Sequence, residues 1–579
     1  MRIFSQRSMH NNHKGNIDTM SITRKQALTK LTATGMPYAL EQGLINDRVC
    51  KIFSHAPATL RELYEDNRSG LTFFVYQDER YSFEEIYSRA ASLAQVLLLD
   101  FNIVKGDRIS ISMRNYPEWI ISFMAITSIG AIAVAMNALW QSDEIEYGLS
   151  HSDSKLFIAD HERIIRALPV LEKLGLSVIS VRSEYGNTGK IVDFNHLLAK
   201  TAGVNMPIVS LSPDDDATLF YTSGSTGHPK GAVSCHRNII SALFSWELDL
   251  AARQLEIGAP VKAESTDQPA TLLAVPLFHA TGSHAVYLQS YRAQRKMVSM
   301  YKWDPAEAAA LIEEERISSF IAPAAMTGDL LEQARSSQRD LSSLISVGGG
   351  GAPRAPDQVK NIAGTFSHAL PGTGWGMTET NAIGTGIGGQ DYLERPTSSG
   401  RCSAVLEMQI VDDQGRPLPI NTTGELWVRG SSVIRGYWQR PEANAESFHK
   451  DWLKTGDVAF LDEAGYLYIV DRIKDLVIRG GENIGCAEVE AALLCHEEIL
   501  EASVYAVPDD RLGEEVGATI YCRSPLDESA LRDFLAVQMA RFKIPRYISI
   551  SENPLPRIAS GKIDKRQLRA EIVNNLGIA

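Results

Sequence analysis

The sequence predicts an α/β protein: a large N-terminal domain of parallel-type sheets covered by helices and carrying a small β-rich subdomain, followed by a small α+β C-terminal domain. Three observations carry that prediction. The chain has 579 residues, too many for one core at ~100–200 residues per domain. From about Ser82 helical stretches alternate with short β-branched runs, the pattern of a parallel sheet with helices on both faces. After about Ser399 short strands are spaced by turn signals, and a last unit begins near Lys474. The expected divisions are a poorly ordered extension over residues 1–40, a large domain over 41–472 and a small domain over 473–579.

In chain order, Ser82–Leu99 reads as a helix and Arg108–Ser112 as a strand. The apolar run Ile120–Met136 contains Ser122, Thr127, Ser128 and Gly130 and falls short of the ~20 residues a bilayer needs. It reads as a buried helix ending near Ser128, a turn at Gly130, and a buried strand Ala131–Ala135. Lys155–Ala159 and Ala217–Tyr221 follow as strands, and the polar stretch from Ala251 to Pro269 as a surface loop. Met408–Val411, Gly424–Val428 and Tyr466–Val470 are the strands of the β-rich subdomain, with turns at Asp413–Gly415 and Ala464–Gly465. In the last unit, helices are expected near Ala487–Leu494 and Glu528–Met539 and strands near Glu501–Val507 and Gly517–Cys522.

The net charge of −13, from 57 basic and 70 acidic residues, leaves no global basic footprint and argues against nonspecific nucleic-acid binding. Six cysteines are scattered without a CxxC pair, which fits neither a zinc site nor a disulfide framework and points to a reducing, cytoplasmic home. The first 30 residues carry Arg2, Arg7, Lys14, Arg24, Lys25 and Lys30 against only Asp18. That composition overlaps with transit peptides; the alternative is a frayed terminus with Met20 as the start.

The most informative segment is Leu219-Phe-Tyr-Thr-Ser-Gly-Ser-Thr-Gly-His-Pro-Lys-Gly231. Its small residues let backbone N–H groups converge on an anion, and Thr222, Ser223, Ser225 and Thr226 add hydroxyl donors. A Walker loop has Lys directly after its second Gly, whereas Gly227 is followed by His228, Pro229 and only then Lys230. The loop suits a polyphosphate without being a P-loop.

Here the chain resembles the adenylate-forming superfamily of acyl-CoA synthetases, amino-acid adenylation domains and firefly-type luciferases. Further motifs follow in the family's order: Val275-Pro-Leu-Phe-His279, Gly348-Gly-Gly-Gly-Ala-Pro353, Gly374-Trp-Gly-Met-Thr-Glu379, Gly424-Glu-Leu-Trp-Val-Arg-Gly430, Trp452-Leu-Lys-Thr-Gly-Asp457, Asp471-Arg-Ile-Lys-Asp475 and Pro556-Arg-Ile-Ala-Ser-Gly-Lys562. The resemblance spans about Tyr81 to Leu568. It implies ATP-dependent joining of a carboxylate to the α-phosphate with loss of pyrophosphate, then acyl transfer from AMP to a thiol. Mg²⁺, ATP and CoA are the implied cofactor and co-substrates. By resemblance Glu379 and Thr222 hold the Mg²⁺, Thr378 contacts the α-phosphate, and Ser223, Gly224, Ser225, Thr226, Gly227 and Lys230 surround the outer phosphates. Gly350, Gly351, Ala352 and Pro353 form one wall for adenine, with Trp375 and Gly376 on the other side. Trp375 stands where the family usually has Tyr, a change of little expected consequence. Asp457 and Arg472 are implied at the ribose. Read alone, Thr378-Glu379 is a capping pair near a helix start, Asp457 a turn residue, and Lys562 a solubilising lysine near the chain end.

His279, Gly282, Ser283, Val286 and Ile383 are the expected acyl pocket. His279 stands where amino-acid adenylation domains place an Asp, and a buried ammonium without a carboxylate costs several kcal/mol, so an α-amino acid is a poor substrate. Small and apolar neighbours suit a fatty or aryl chain; the bland reading of His279 is a satisfied core histidine. Lys562 is implied to bridge the substrate carboxylate and α-phosphate, and the C-terminal domain, mobile in this family, to turn about Lys474 between half-reactions. The expected function is an acyl-CoA synthetase acting on a small carboxylic acid, with no nucleic-acid partner, no transmembrane segment and a homodimer left open. The alternatives are a free-standing enzyme loading a separate carrier protein, a luciferase-type oxygenase, and a nucleotide-binding regulator without chemistry.

Overall fold

Ser82 Oγ accepts the Glu85 backbone N–H at 3.1 Å, and the Glu85 carboxylate accepts the Ser82 N–H at 2.7 Å. This reciprocal cap satisfies two donors at a helix start, and the helix Phe83–Leu99 follows with Phe83, Ile86, Ala90, Leu93 and Leu97 buried. The computed structural model describes residues 22–45, 48–186, 188–222, 228–258, 268–350, 354–480, 482–558 and 562–578. The long apolar run divides as expected into the helix Pro117–Ser128, a turn at Gly130 (φ +75°) and the strand Ile132–Ala135. Every residue of that helix is buried, which explains a hydrophobic pattern with no polar face. No helix among the described residues is long and apolar enough to cross a membrane.

Two sheets build the large unit. In the first, Asp216–Thr222, Ile132–Ala135, Arg108–Ser112, Ser154–Asp160, Ser177–Val181 and Ile191–Asp193 lie side by side and parallel. Lys230–Cys235 adds to this edge antiparallel, and Gly436–Tyr437 beyond it. The second sheet has a parallel centre of Leu370–Thr373, Ser346–Gly348, Ser319–Ile321, Ala270–Leu273, Lys296–Ser299 and Thr72–Tyr76. Helices pack between and around the sheets, burying a core that runs from Phe53 to Leu467.

The β-rich region is not separate. Thr385–Gly388 pairs antiparallel with Leu370–Thr373 and with Gly400–Cys402, which pairs with Tyr466–Arg472. Leu406–Val411, Gly424–Gly430 and Trp452–Leu461 thus extend the second sheet. The polar stretch after Ala251 starts later than read, because the helix His236–Glu256 carries its first six residues; residues 259–267 lie outside the described residues. Residues 24–31, expected within a poorly ordered extension, form the capped helix Arg24–Leu31, pinned by the Arg24–Asp249 ion pair at 2.6 Å. Nothing in the local sequence announces a partner 225 positions away.

The last unit has its own antiparallel sheet, Val477–Arg479, Glu482–Ile484, Ile499–Asp509 and Gly513–Cys522, with Tyr547–Ser551 parallel to Gly513–Cys522. The helices Cys486–Leu493 and Glu528–Gln538 close a separate apolar core around Val489, Val504, Val516 and Leu531.

Candidate active site

A cleft of ≈ 4320 Å³ runs between the large unit and the last one, and most of the described residues singled out by sequence line it. At its phosphate end, Thr222 and Lys230 face each other as the last pair of an antiparallel hairpin, with the Thr222 hydroxyl donating to the Lys230 carbonyl at 3.3 Å. Ser223, Gly224, Ser225, Thr226 and Gly227 lie outside the described residues. Beyond the loop, the His228 ring stacks on Tyr147 at 4.3 Å, and the Tyr147 hydroxyl donates to the Pro229 carbonyl at 2.9 Å.

The Lys230 ammonium lies over the Tyr437 ring at 5.0 Å, and the Tyr437 hydroxyl donates to Glu379 Oε1 at 2.8 Å. Tyr437 reaches both because its strand pairs with that of Lys230. Sequence reasoning missed it, and the aromatic after Gly436 was the one signal. Thr378–Thr380 is a single 3₁₀ turn, not the start of a longer helix. Asn381 and Ala382 follow in left-handed backbone (φ +58° and +64°). Asn381 is held there by donating to the Ser432 carbonyl at 2.8 Å and by a 3.2 Å contact with His284 Nε2. A side chain at Gly376 would overlap the Ala382 carbonyl, so the turn closes only over glycine.

On the nucleotide side, Asp457 and Arg472 are register partners on neighbouring strands, with Nε to Oδ1 at 2.5 Å. The Trp375 indole N–H donates to Asp457 Oδ2 at 2.7 Å. The indole at this position thus ties its ring to the Asp457 carboxylate. Burial raises the Asp457 carboxyl pKa, opposed by Arg472, Trp375 and Lys562. Gly350 ends the described part of its glycine run, and Gly351, Ala352 and Pro353 lie outside the described residues. Arg354, read past in the sequence, is 5 % exposed and donates to the Gly348 and Gly372 carbonyls at 2.7 and 3.0 Å, tying the ends of two strands beneath that wall.

The acyl side departs from expectation. The segment Thr281–Leu288 is a π-helix, a wide-turned form that recurs at functional sites. His279, Thr281, Ala285 and Gln289 line the cleft, whereas Gly282, Ser283, Val286 and Ile383 are buried behind its wall. A Cβ at Gly282 would overlap the Pro276 carbonyl oxygen, and Ser283 Oγ donates to the His279 carbonyl at 3.1 Å. Those two residues carry the wall from behind; Ala382, not Ile383, faces the cleft.

Lys562 lines the cleft from the last unit, and its carbonyl accepts the Ile558 N–H at 2.9 Å. Desolvation in the cleft and the neighbouring Arg472 lower its pKa, while Asp457 and Glu379 raise it. Its charge also reaches His279, whose imidazole is held down to about 4, chiefly by burial. Lys474 lies in the turn after Arg472, closed by the Asp475 N–H on the Arg472 carbonyl at 2.9 Å, and lines the same cleft.

Among the described residues no group of three or more His, Cys, Asp and Glu could hold a metal ion. Glu379, 6 % exposed, presents one carboxylate to the cleft. A single carboxylate, with the Thr222 hydroxyl, fits a magnesium ion that takes its other ligands from phosphates and water.

Comparison with known proteins agrees with this geometry. The AMP-binding enzyme family profile matches residues 64–438, and that of the AMP-binding enzyme C-terminal domain residues 488–562. A 2-succinylbenzoate–CoA ligase of Bacillus velezensis is 30% identical over 495 residues, 85% of this chain and 94% of the relative. A long-chain-fatty-acid–CoA ligase of Mycobacterium tuberculosis is 29% identical over 500 residues, 85% and 93% of the two chains. The solved o-succinylbenzoate coenzyme A synthetase from Bacillus subtilis, in complex with ATP and magnesium ion, superposes with a TM-score of 0.75 at 26% identity, covering 89% of this chain and 99% of that one.

Proposed function

Because the chain belongs to the AMP-binding enzyme family and is an acid–thiol ligase of the acyl-CoA synthetase kind, we propose that it activates a fatty or aryl acid as its acyl-adenylate and passes the acyl group to CoA. The observation that carries this reading is the convergence of Lys562 on Asp457, Glu379 and His279 across the cleft. One ammonium from the last unit lines the same cleft as these three residues and its charge acts on all of them, which suits a place where an acid and ATP would come together.

In the first half-reaction the acid's carboxylate oxygen attacks the α-phosphate and pyrophosphate leaves. Both reactants are anions, so fixed positive charge and hydrogen-bond donors lower the barrier. Lys562 would stand between the attacking carboxylate and the α-phosphate. Thr378 would donate its hydroxyl to that phosphate, and the Thr222–Lys230 hairpin would hold the outer phosphates. Asp457 would accept the ribose hydroxyls while Arg472 and Trp375 orient its two oxygens. Glu379 and Thr222 would hold a magnesium ion, which when bound neutralises phosphate charge.

In the second half-reaction a thiolate attacks the acyl carbon and AMP leaves. Lys562 then blocks the approach, so residues 473–579 would turn about Lys474, with the domain division between 472 and 473. The apolar wall with a neutral His279 disfavours an α-ammonium group and favours a plain acyl or aryl acid.

The test is an assay of the purified protein with ATP, magnesium, CoA and a panel of fatty, aryl and amino acids. Acid-dependent pyrophosphate release with thioester formation is expected for fatty or aryl acids only. Thioester on a holo-carrier protein but not on CoA would favour the carrier-loading alternative, and no pyrophosphate with any acid would end the reading.

A further inference from the structure

The cleft does not stop at the reacting end. Ala274 and Val275, which follow the strand Ala270–Leu273, line it, and so do Pro269, Arg295 and Ser318, which precede Ala270–Leu273, Lys296–Ser299 and Ser319–Ile321. These strands are parallel, so residues before and after them mark opposite ends of one sheet. Four residues at ~3.3 Å rise separate those ends by about 13 Å. On the facing side Thr281, Ala285 and Gln289, four residues apart, lead from beside His279 toward Arg292 and Arg295, and Trp246 and Leu250 line the same cavity. One arm of the cavity therefore leads from the reaction centre along an apolar wall to the far end of the sheet.

Asp66 also lines that end, but among the described residues one of its cations has no ion-pair partner. Arg292 Nε donates to Glu247 at 2.5 Å, with its guanidinium over the Phe244 ring at 4.0 Å. Arg68 is bound through two nitrogens to Glu84, at 2.8 and 2.6 Å. Arg295 is half-buried, and among the described residues no hydrogen bond or ion pair engages its guanidinium. The carboxylate that influences it, Glu247, is already committed to Arg292. Burial lowers the pKa of Arg295, opposed by the Glu247 charge. A guanidinium carries five donors in a planar fork suited to a carboxylate. A purely apolar chain end would leave all of them unsatisfied and further desolvated.

We infer that the acid carries a second carboxylate at its far end and that Arg295 receives it, which makes an α,ω-dicarboxylic acid or a related acid with a distal carboxylate the favoured substrate class. This rests on the acid-activation reading above. An extended chain advances ~3.5 Å per three bonds, so a 13 Å arm holds about ten to twelve of them.

The experiment measures acid-dependent pyrophosphate release with length-matched monocarboxylic and α,ω-dicarboxylic acids, from short to long. At the length that spans the arm, kcat/KM for the dicarboxylic acid should exceed that of its monocarboxylic partner by roughly 10–100-fold, the range for a hydrogen bond to a charged group. In Arg295→Gln that ratio should fall toward one, mainly through KM, as expected when binding common to ground and transition states is lost. Arg295→Lys, which keeps the charge, should retain part of it, and unchanged thermal midpoints guard against misfolding. Equal or better use of monocarboxylic acids at every length, or an Arg295→Gln ratio equal to wild type, overturns the inference while leaving acid activation standing. No pyrophosphate from either class overturns both.

Discussion

On the nucleotide side of the cleft, side chains hold one another by charge and hydrogen bond: Asp457 takes Arg472 and Trp375, and Glu379 takes Tyr437. On the acyl side the wall is held by close backbone packing, with Gly282 against Pro276 and Ser283 on the His279 carbonyl. The first arrangement fixes where charge can develop; the second fixes a shape. Deleting a group on the nucleotide side should therefore act on rate or on ATP, and altering the acyl side should act on which acid fits.

The largest effect is expected at Lys562. On the proposed mechanism its ammonium would stand where two anions meet, so Lys562→Ala should cut acyl-AMP formation by roughly 10²–10³-fold, from ~3–5 kcal/mol of transition-state stabilisation in a dehydrated site. Supplied with preformed acyl-AMP and CoA, the variant should form thioester at a rate near wild type in a single-turnover measurement. An equal fall in both half-reactions would make Lys562 a structural residue.

Gly282→Ala probes the shape side. The added methyl has nowhere to go without moving the Pro276 carbonyl, and such overpacking costs about 1–3 kcal/mol. The thermal midpoint should drop and the preferred acid should change, while the KM for ATP stays put. A change in the ATP constant alone would show that the two sides are not independent.

Trp375→Phe keeps a ring for adenine but removes the donor to Asp457. One charge-assisted hydrogen bond lost from a buried carboxylate is worth about 1.5–3 kcal/mol at most, and part returns if water takes the donor's place. The KM for ATP should rise by about tenfold or less, with no change in acid preference; an unaltered KM would make the indole N–H incidental.

The smallest effect near neutral pH comes from two fully buried histidines, His236 and His284, both held down to about 4 by burial. The unfolded chain titrates them near 6.5, so between those values it binds more protons than the folded protein, and stability rises with pH there. Their contribution is complete above about 6.5 and is lost as pH falls toward 4, amounting to roughly 1 kcal/mol between pH 7 and pH 6 for the pair. Urea titrations across that window should show it, and a flat profile would mean that both rings meet water in the folded state.

Much of this molecule is legible in local sequence. The Ser82 cap with Glu85, the Pro117 helix start, the Gly130 turn and the Thr222–Lys230 hairpin each depend on residues a few positions apart. Their signals lie in neighbouring letters. The acyl wall was harder, because which side of Thr281–Leu288 faces the cleft depends on its wide turns and on what packs behind them. Residues of suitable size at Gly282, Ser283 and Val286 were expected as lining; they are buried, and Thr281, Ala285 and Gln289 line the cleft.

By itself, the sequence determined the order of the motifs and the α/β architecture, since these reside in residue types and short spacings, whereas the roles expected of Glu379, Asp457 and Lys562 came from the family resemblance and not from the residues read alone. Tertiary structure alone decided the contacts that join distant segments: Arg24 with Asp249, Tyr437 with Glu379, Trp375 with Asp457, and an arginine at position 295 with no hydrogen bond or ion pair among the described residues. The physical reason is that charge pairing and burial depend on distance in space. A side chain's partner, or its lack of one, is settled only when the sheets and helices have packed.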